Sequence, residues 1–257
     1  MHPVLLTAIG VGGATVFGVA IGFLFKNISH KFSDIILSFA AGVMLAAAVL
    51  GLILPALDHA GSKAGITPVV IGIFVGAFVL NLIDKLTPHL HKLMGNESDM
   101  RASCGKKRSE KADKVLLFVL AIAIHNLPEG IAAGVGFGTG NTSDAIMLAA
   151  GIALQNIPEG MVIVAPMLAS GISPKRTFLY ASLTGLVEVI GTFIGYFAVS
   201  VSTLILPFAL AFAGGTMLYV ISDEMIPETH AHGSERGATY ALLFGFCLML
   251  AFDFLLA

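Results

Sequence analysis

The chain has 257 residues, 56% of them hydrophobic and 12% charged, with a mean hydropathy of +0.92, values that exclude a soluble globular protein and require a bilayer as solvent. A formal net charge of −2 gives nucleic acid no electrostatic hold on it. The two cysteines, Cys104 in a polar stretch and Cys247 in an apolar one, form neither a C-x-x-C pair nor a disulfide framework.

In chain order, eight apolar runs are long enough to cross a hydrocarbon layer: residues 3–25, 35–57, 66–83, 115–136, 145–169, 177–199, 203–226 and 238–256. Their unbroken apolarity lacks the alternation of barrel strands, so the expected fold is an all-α integral membrane protein, a single transmembrane domain over 1–257. The first run has no basic leader or cleavage site and reads as a span. Its small residues, in "IGVGGATVFGVAIG", are the kind that let membrane helices approach closely. The second run holds no charge between Asp34 and Asp58, with Met44 near its middle as packing or as a soft metal donor.

The third run is followed by a mostly polar loop, about 88–114. With the N-terminus outside, every lysine and arginine except Lys63 falls on the inner side. The basic cluster of the loop then serves as the topology signal. Both termini are expected outside, in a plasma membrane such as a bacterial inner membrane.

The fourth and fifth runs carry the chemistry. "HNLPEG" at 125–130 and "QNIPEG" at 155–160 set ionisable and amide side chains at mid-span, and Glu188 in "LTGLVEVIGTF" reaches the same depth in the sixth. Ionisable groups there cost several kcal/mol unless they face the bundle and find partners, so they mark function rather than packing. On a helix, His125 and Glu129 share a face at i, i+4, and Asn126 and Glu129 at i, i+3; Gln155, Asn156 and Glu159 repeat the arrangement. Each glutamate can thus serve two adjacent positions, as two neighbouring cations bridged by shared carboxylates require. Pro128 and Pro158 free the carbonyls of Ile124 and Leu154 at that depth. Imidazole, carboxylate and amide donors without thiolate suit a borderline divalent ion such as Zn2+, and accept Cd2+, Fe2+ or Mn2+. No organic cofactor is expected.

At the span ends, Asp58, His59 and Asp253, with Met44 deeper, are candidate entrance groups. Asp223, Glu224, Glu228, His230 and His232 are candidate exit groups. Charged residues at an interface are also ordinary in their own right.

The hexamer pair followed by a mid-span glutamate resembles the signature of the ZIP family of divalent metal transporters, and the glutamine variant is similar to its GufA branch. The resemblance implies one site of His125, Glu129, Gln155 and Glu159, and an adjacent one of Asn126, Glu129, Asn156, Glu159 and Glu188. Gln155 departs from the histidine often found there. The resemblance further implies metal movement into the cytoplasm and a bundle of three, two and three helices with inverted symmetry. A trace of that symmetry stands in the chain: "GVMLAAAVLGLILPALD" in the second span and "GTMLYVISDEMIPETH" in the seventh both run G-x-M-L and then, after about ten residues, to P-x-x before Asp58 or His230.

Two other function classes compete with this reading. An intramembrane metal-dependent hydrolase lacks support from any H-E-x-x-H or G-x-S-x-G sequence. A membrane protein that senses metal without transporting it is separable only by uptake into sealed vesicles. Divalent ions and lipid are the expected partners, and a homodimer is compatible with the reading. Alternating access is expected, with the fourth and fifth spans carrying the site past the other helices.

Overall fold

The computed structural model describes residues 2–25, 29–61, 65–86, 108–169, 171–201 and 203–256. The expected loop lies outside the described residues as far as 107. Its remainder, from Arg108, is already helical. Residues such as Arg, Glu, Lys and Ala favour that continuation of the span.

Among the described residues all regular structure is helical. We label the long helices α1 (His2–Leu24), α2 (His30–His59), α3 (Ile66–Leu86), α4 (Arg108–Val135), α5 (Thr142–Ala169), α6 (Pro174–Val201), α7 (Leu206–Thr229) and α8 (Glu235–Leu256). Within those described residues, 7 helices are long and apolar enough to cross a membrane. The remaining long helix is α4, with 28 residues. Glycine at φ 79°, a conformation open to it for want of a side chain, closes the turn at Gly140 that reverses the chain between α4 and α5.

Two of the helices are interrupted. In α2 the α-helix gives way to a π turn at Val49–Ile53, where the Leu54 N–H reaches back to the Val49 carbonyl. In α7 the same happens at Ile221–Met225, with Ile226 N–H on the Ile221 carbonyl. Pro55 and Pro227 follow directly. A proline donates no N–H and crowds the turn before it, so the ladder widens instead of stopping. Helix α7 consequently runs past the expected end at 226 to Thr229.

The helices pack in two groups. Helix α1 lies along α5 and α6, and α4 along α6; α2 lies along α8, and α3 along α7. Glycine makes these contacts backbone to backbone. Gly12 and Gly185 each sit against the other's carbonyl, joining α1 to α6. The last residue of each hexamer does the same: Gly130 packs on the Glu188 carbonyl and Gly160 on the Thr15 carbonyl, which brings α4, α5, α6 and α1 together at one depth. Gly42 and Gly245 weld α2 to α8, and Gly76 and Gly215 weld α3 to α7. Helices α2 and α5, and α4 and α7, join the two groups. At the α2–α5–α8 seam lies an apolar crevice of about 600 Å³, walled by Ile35, Phe39, Pro158, Met161, Tyr240 and Phe244.

Candidate metal centre

The close approach of α1, α4, α5 and α6 leaves room between them for polar side chains only if these bond one another. Glu188, fully buried on α6, is the hub. Its Oε1 accepts from the Thr15 hydroxyl at 2.6 Å and from the Asn126 side-chain amide. Its Oε2 accepts from Asn156 Nδ2 at 2.7 Å. The Asn156 amide nitrogen also lies 3.3 Å from the Val11 carbonyl of α1. Beside it, Gln155 Nε2 donates to Glu129 Oε1 at 2.9 Å. His125 Nε2 stands 3.0 Å from Glu224 Oε1 of α7. Half-buried Glu159 lies within electrostatic reach of His125, Glu224, Glu129 and Glu188.

Three oxygens in this cluster have no hydrogen-bond donor: Glu129 Oε2, Gln155 Oε1 and Asn156 Oδ1. All three residues are 1% exposed or less. A buried acceptor without a partner costs about 1–3 kcal/mol, and native proteins rarely leave several together. The amide nitrogens are turned to the carboxylates and to the Val11 carbonyl, which aims the amide oxygens elsewhere. A hard or borderline cation is the species that such oxygens accept. Among the described residues no three His, Cys, Asp or Glu side chains are gathered tightly enough to hold a metal by themselves. The donor set is therefore mixed, with amides among carboxylates.

The family description "ZIP Zinc transporter" matches residues 101–253. "Zinc transporter GufA" of Myxococcus xanthus is 38% identical over 97% of both chains. "Zinc transporter ZIPB" of Bordetella bronchiseptica is also 38% identical, over 93% of this chain and 77% of its own. The chain belongs to the ZIP family. "Zinc transporter ZupT" of Chlorobaculum parvum, 37% identical over 93% of this chain and 91% of its own, extends the set. All three are named as transporters rather than enzymes.

Within this ZIP protein the sequence-predicted residues are distributed unevenly. Asn126, Asn156 and Glu188 are bonded together, as are Glu129 and Gln155. His125 is turned towards Glu224, a residue expected at the exit, which the extended α7 brings to the level of the hexamer. Asp58 and His59 are exposed at the end of α2, His59 Nδ1 lying 2.9 Å from the Pro55 carbonyl. Met44 is fully buried in the core and Asp253 half-buried on α8. Asp223 accepts from the Tyr219 hydroxyl at 3.1 Å, and that oxygen accepts from Asn81 at 2.7 Å. Glu228 is half-buried. His230 Nδ1 lies 2.8 Å from the Ile226 carbonyl. His232 stands 3.1 Å from Asp34 and stacks on His30. Sequence reasoning missed Thr15, the Val11 carbonyl, Asn81, Tyr219 and Asp34. Thr15, Asn81 and Tyr219 do not stand out in an apolar run, since a lone hydroxyl or amide there reads as packing, and Asp34 marks only the start of the second run.

Proposed function

We propose that this protein carries divalent metal cations, zinc foremost, across the membrane into the cytoplasm. The observation that supports it most is the group of three buried, donorless oxygens on Glu129, Gln155 and Asn156. The names of its ZIP relatives point to zinc. Cd2+, Fe2+ and Mn2+ satisfy the same oxygen and imidazole donors and are expected competitors. Two positions share the glutamates in this reading: His125, Glu129, Gln155 and Glu159 hold one ion, and Asn126, Glu129, Asn156, Glu159 and Glu188 the other. The protein needs no organic cofactor, and assembly as a homodimer is compatible with it.

All of α1 to α8 span the bilayer in this proposal, with both termini outside and the basic loop in the cytoplasm. A three, two, three arrangement has support in the packing. Exchanging α1 with α6, α2 with α7, α3 with α8 and α4 with α5 turns the α2–α8 pair into α7–α3, and α1–α5 into α6–α4. The α1–α6 pair maps on itself through Gly12 and Gly185. The matched π turns before Pro55 and Pro227 obey the same exchange. Alternating access then moves α4 and α5, with α1 and α6 welded to them, against α2, α3, α7 and α8.

The test is uptake of Zn2+, Cd2+, Fe2+ and Mn2+ by proteoliposomes, with and without a pH gradient. Zn2+ accumulation above protein-free vesicles is the expected result. Binding of Zn2+ without accumulation would reject transport in favour of a sensing role.

A further inference from the structure

Helix α1 carries no ionisable residue after His2, yet it reaches into the cluster with two groups, the Thr15 hydroxyl and the Val11 carbonyl. We infer that Thr15 is a positioning residue for the metal site, the donor that holds Glu188 in its ligating orientation while the ion comes and goes. The inference rests on the reading of Glu188 as a metal ligand.

A carboxylate offers about four lone-pair sites. Three are taken, by Thr15 and Asn126 on Oε1 and by Asn156 on Oε2. These donors are not equivalent. Asn126 and Asn156 each have an amide oxygen that a cation prefers, and to present it to an ion shared with Glu188 each must turn its N–H away from the carboxylate. Thr15 has no such second use. Its hydroxyl lies 2.6 Å from Oε1, the residue is 1% exposed, and its own carbonyl is pinned against Gly160 of α5. When the amides turn to the ion, Thr15 is the partner that stays.

Two consequences follow for the chemistry. The remaining hydrogen bond keeps the Glu188 carboxylate plane fixed, so that binding does not have to order it anew. When the ion leaves, Thr15 is the donor already in place on a buried charge while the amides of Asn126 and Asn156 turn back to it. Partners of this kind, which orient a ligand without touching the metal, change affinity by about 10–100-fold when removed. The glycine contacts around α1 make the placement firm, since Gly12 on Gly185 and Gly160 on Thr15 leave α1 no room to slide along α5 and α6.

The experiment is Zn2+ uptake into proteoliposomes by the parent, Thr15→Val, Thr15→Ser and Glu188→Gln, at equal reconstituted protein and with size-exclusion profiles to establish folding. Valine matches threonine in shape and removes only the hydroxyl. Thr15→Val is expected to raise KM for Zn2+ about 10–100-fold, with kcat changed far less. Thr15→Ser is expected to recover most of that loss. If Thr15→Val keeps the parental KM while Glu188→Gln loses uptake, Thr15 does not position Glu188 and the inference is overturned with the site intact. If Val and Ser lose KM alike, the role is packing, and the inference is likewise overturned. Parental uptake by Glu188→Gln would overturn the site reading and this inference with it.

Discussion

The helices that hold the polar cluster and the seam that separates them from the rest are built differently, although both consist of apolar helices. Among α1, α4, α5 and α6, glycines meet carbonyls: Gly18 on Ile157, Gly130 on Glu188, Gly195 on Ile131. At the seam with α2 and α8, glycines face the ends of side chains, a Cβ on Gly51 meeting the Leu148 Cδ1 at 2.8 Å and one on Gly151 the Met249 Cε at 2.8 Å, and an apolar crevice lies beside them. Backbone contacts cannot slip without breaking. Leucine and methionine tips change rotamer cheaply. The polar residues thus sit in the part that holds its shape, next to a surface able to re-pack, and His125 with Glu224 joins the two groups separately, from α4 to α7.

The sharpest way to break this picture is to remove the shared carboxylates. Glu129→Ala and Glu159→Ala are each expected to abolish Zn2+ uptake at unchanged membrane insertion. Parental uptake by either variant would end the bridging role. Next in size is the packing itself. Gly18→Ala drives a methyl into the Ile157 carbonyl and is expected to destabilise by about 1–3 kcal/mol, whereas Gly151→Ala asks only the Met249 tip to move. Thermal unfolding of the detergent-solubilised protein should separate the two, and equal melting points would dissolve the contrast.

How much of this could be read beforehand depends on the residue. The hexamers announce themselves because ionisable groups in a hydrocarbon run have no bland explanation, and their helical spacing puts the right side chains on one face. Glu224 reads from the sequence as a span-end residue, because a hydropathy window averages over residues and does not register a π turn that lets the helix continue to Thr229. Thr15 was invisible for another reason. A hydroxyl in a small-residue helix satisfies itself on its own backbone as readily as it reaches across, so only the neighbouring helices decide its role.

A smaller effect probes the contact across the seam. Imidazole ligates metal only when neutral, so protons and Zn2+ compete for His125, and affinity should fall as pH falls from about 8 to about 5. His125→Gln retains polarity without titrating, and its Zn2+ affinity, measured by calorimetry over that range, should vary less with pH than the parent's. An unchanged slope would assign the competing protons to the glutamates. The smallest change expected is from Gln155→His, which exchanges a neutral oxygen for a stronger nitrogen donor and should shift competition towards Zn2+ over Mn2+. A competition ratio equal to the parent's would count Gln155 out as a ligand.

The π turns also act as phase offsets. An α-helix advances about 100° per residue, so a turn holding one residue more than the α repeat sets everything beyond it on a new bearing. In α7 this lets Gly215 remain engaged with the Ile73 carbonyl of α3 while Glu224, within the turn, is aimed at His125 of α4. The two ends of one helix are thereby steered independently, one meshed with a fixed neighbour and the other addressed to a helix of the opposite group. Deleting a single residue from Ile221–Met225 would return the helix to its plain repeat with Ile226–Thr229 left on their present bearing, and would take from the turn the extra residue that aims Glu224 at His125.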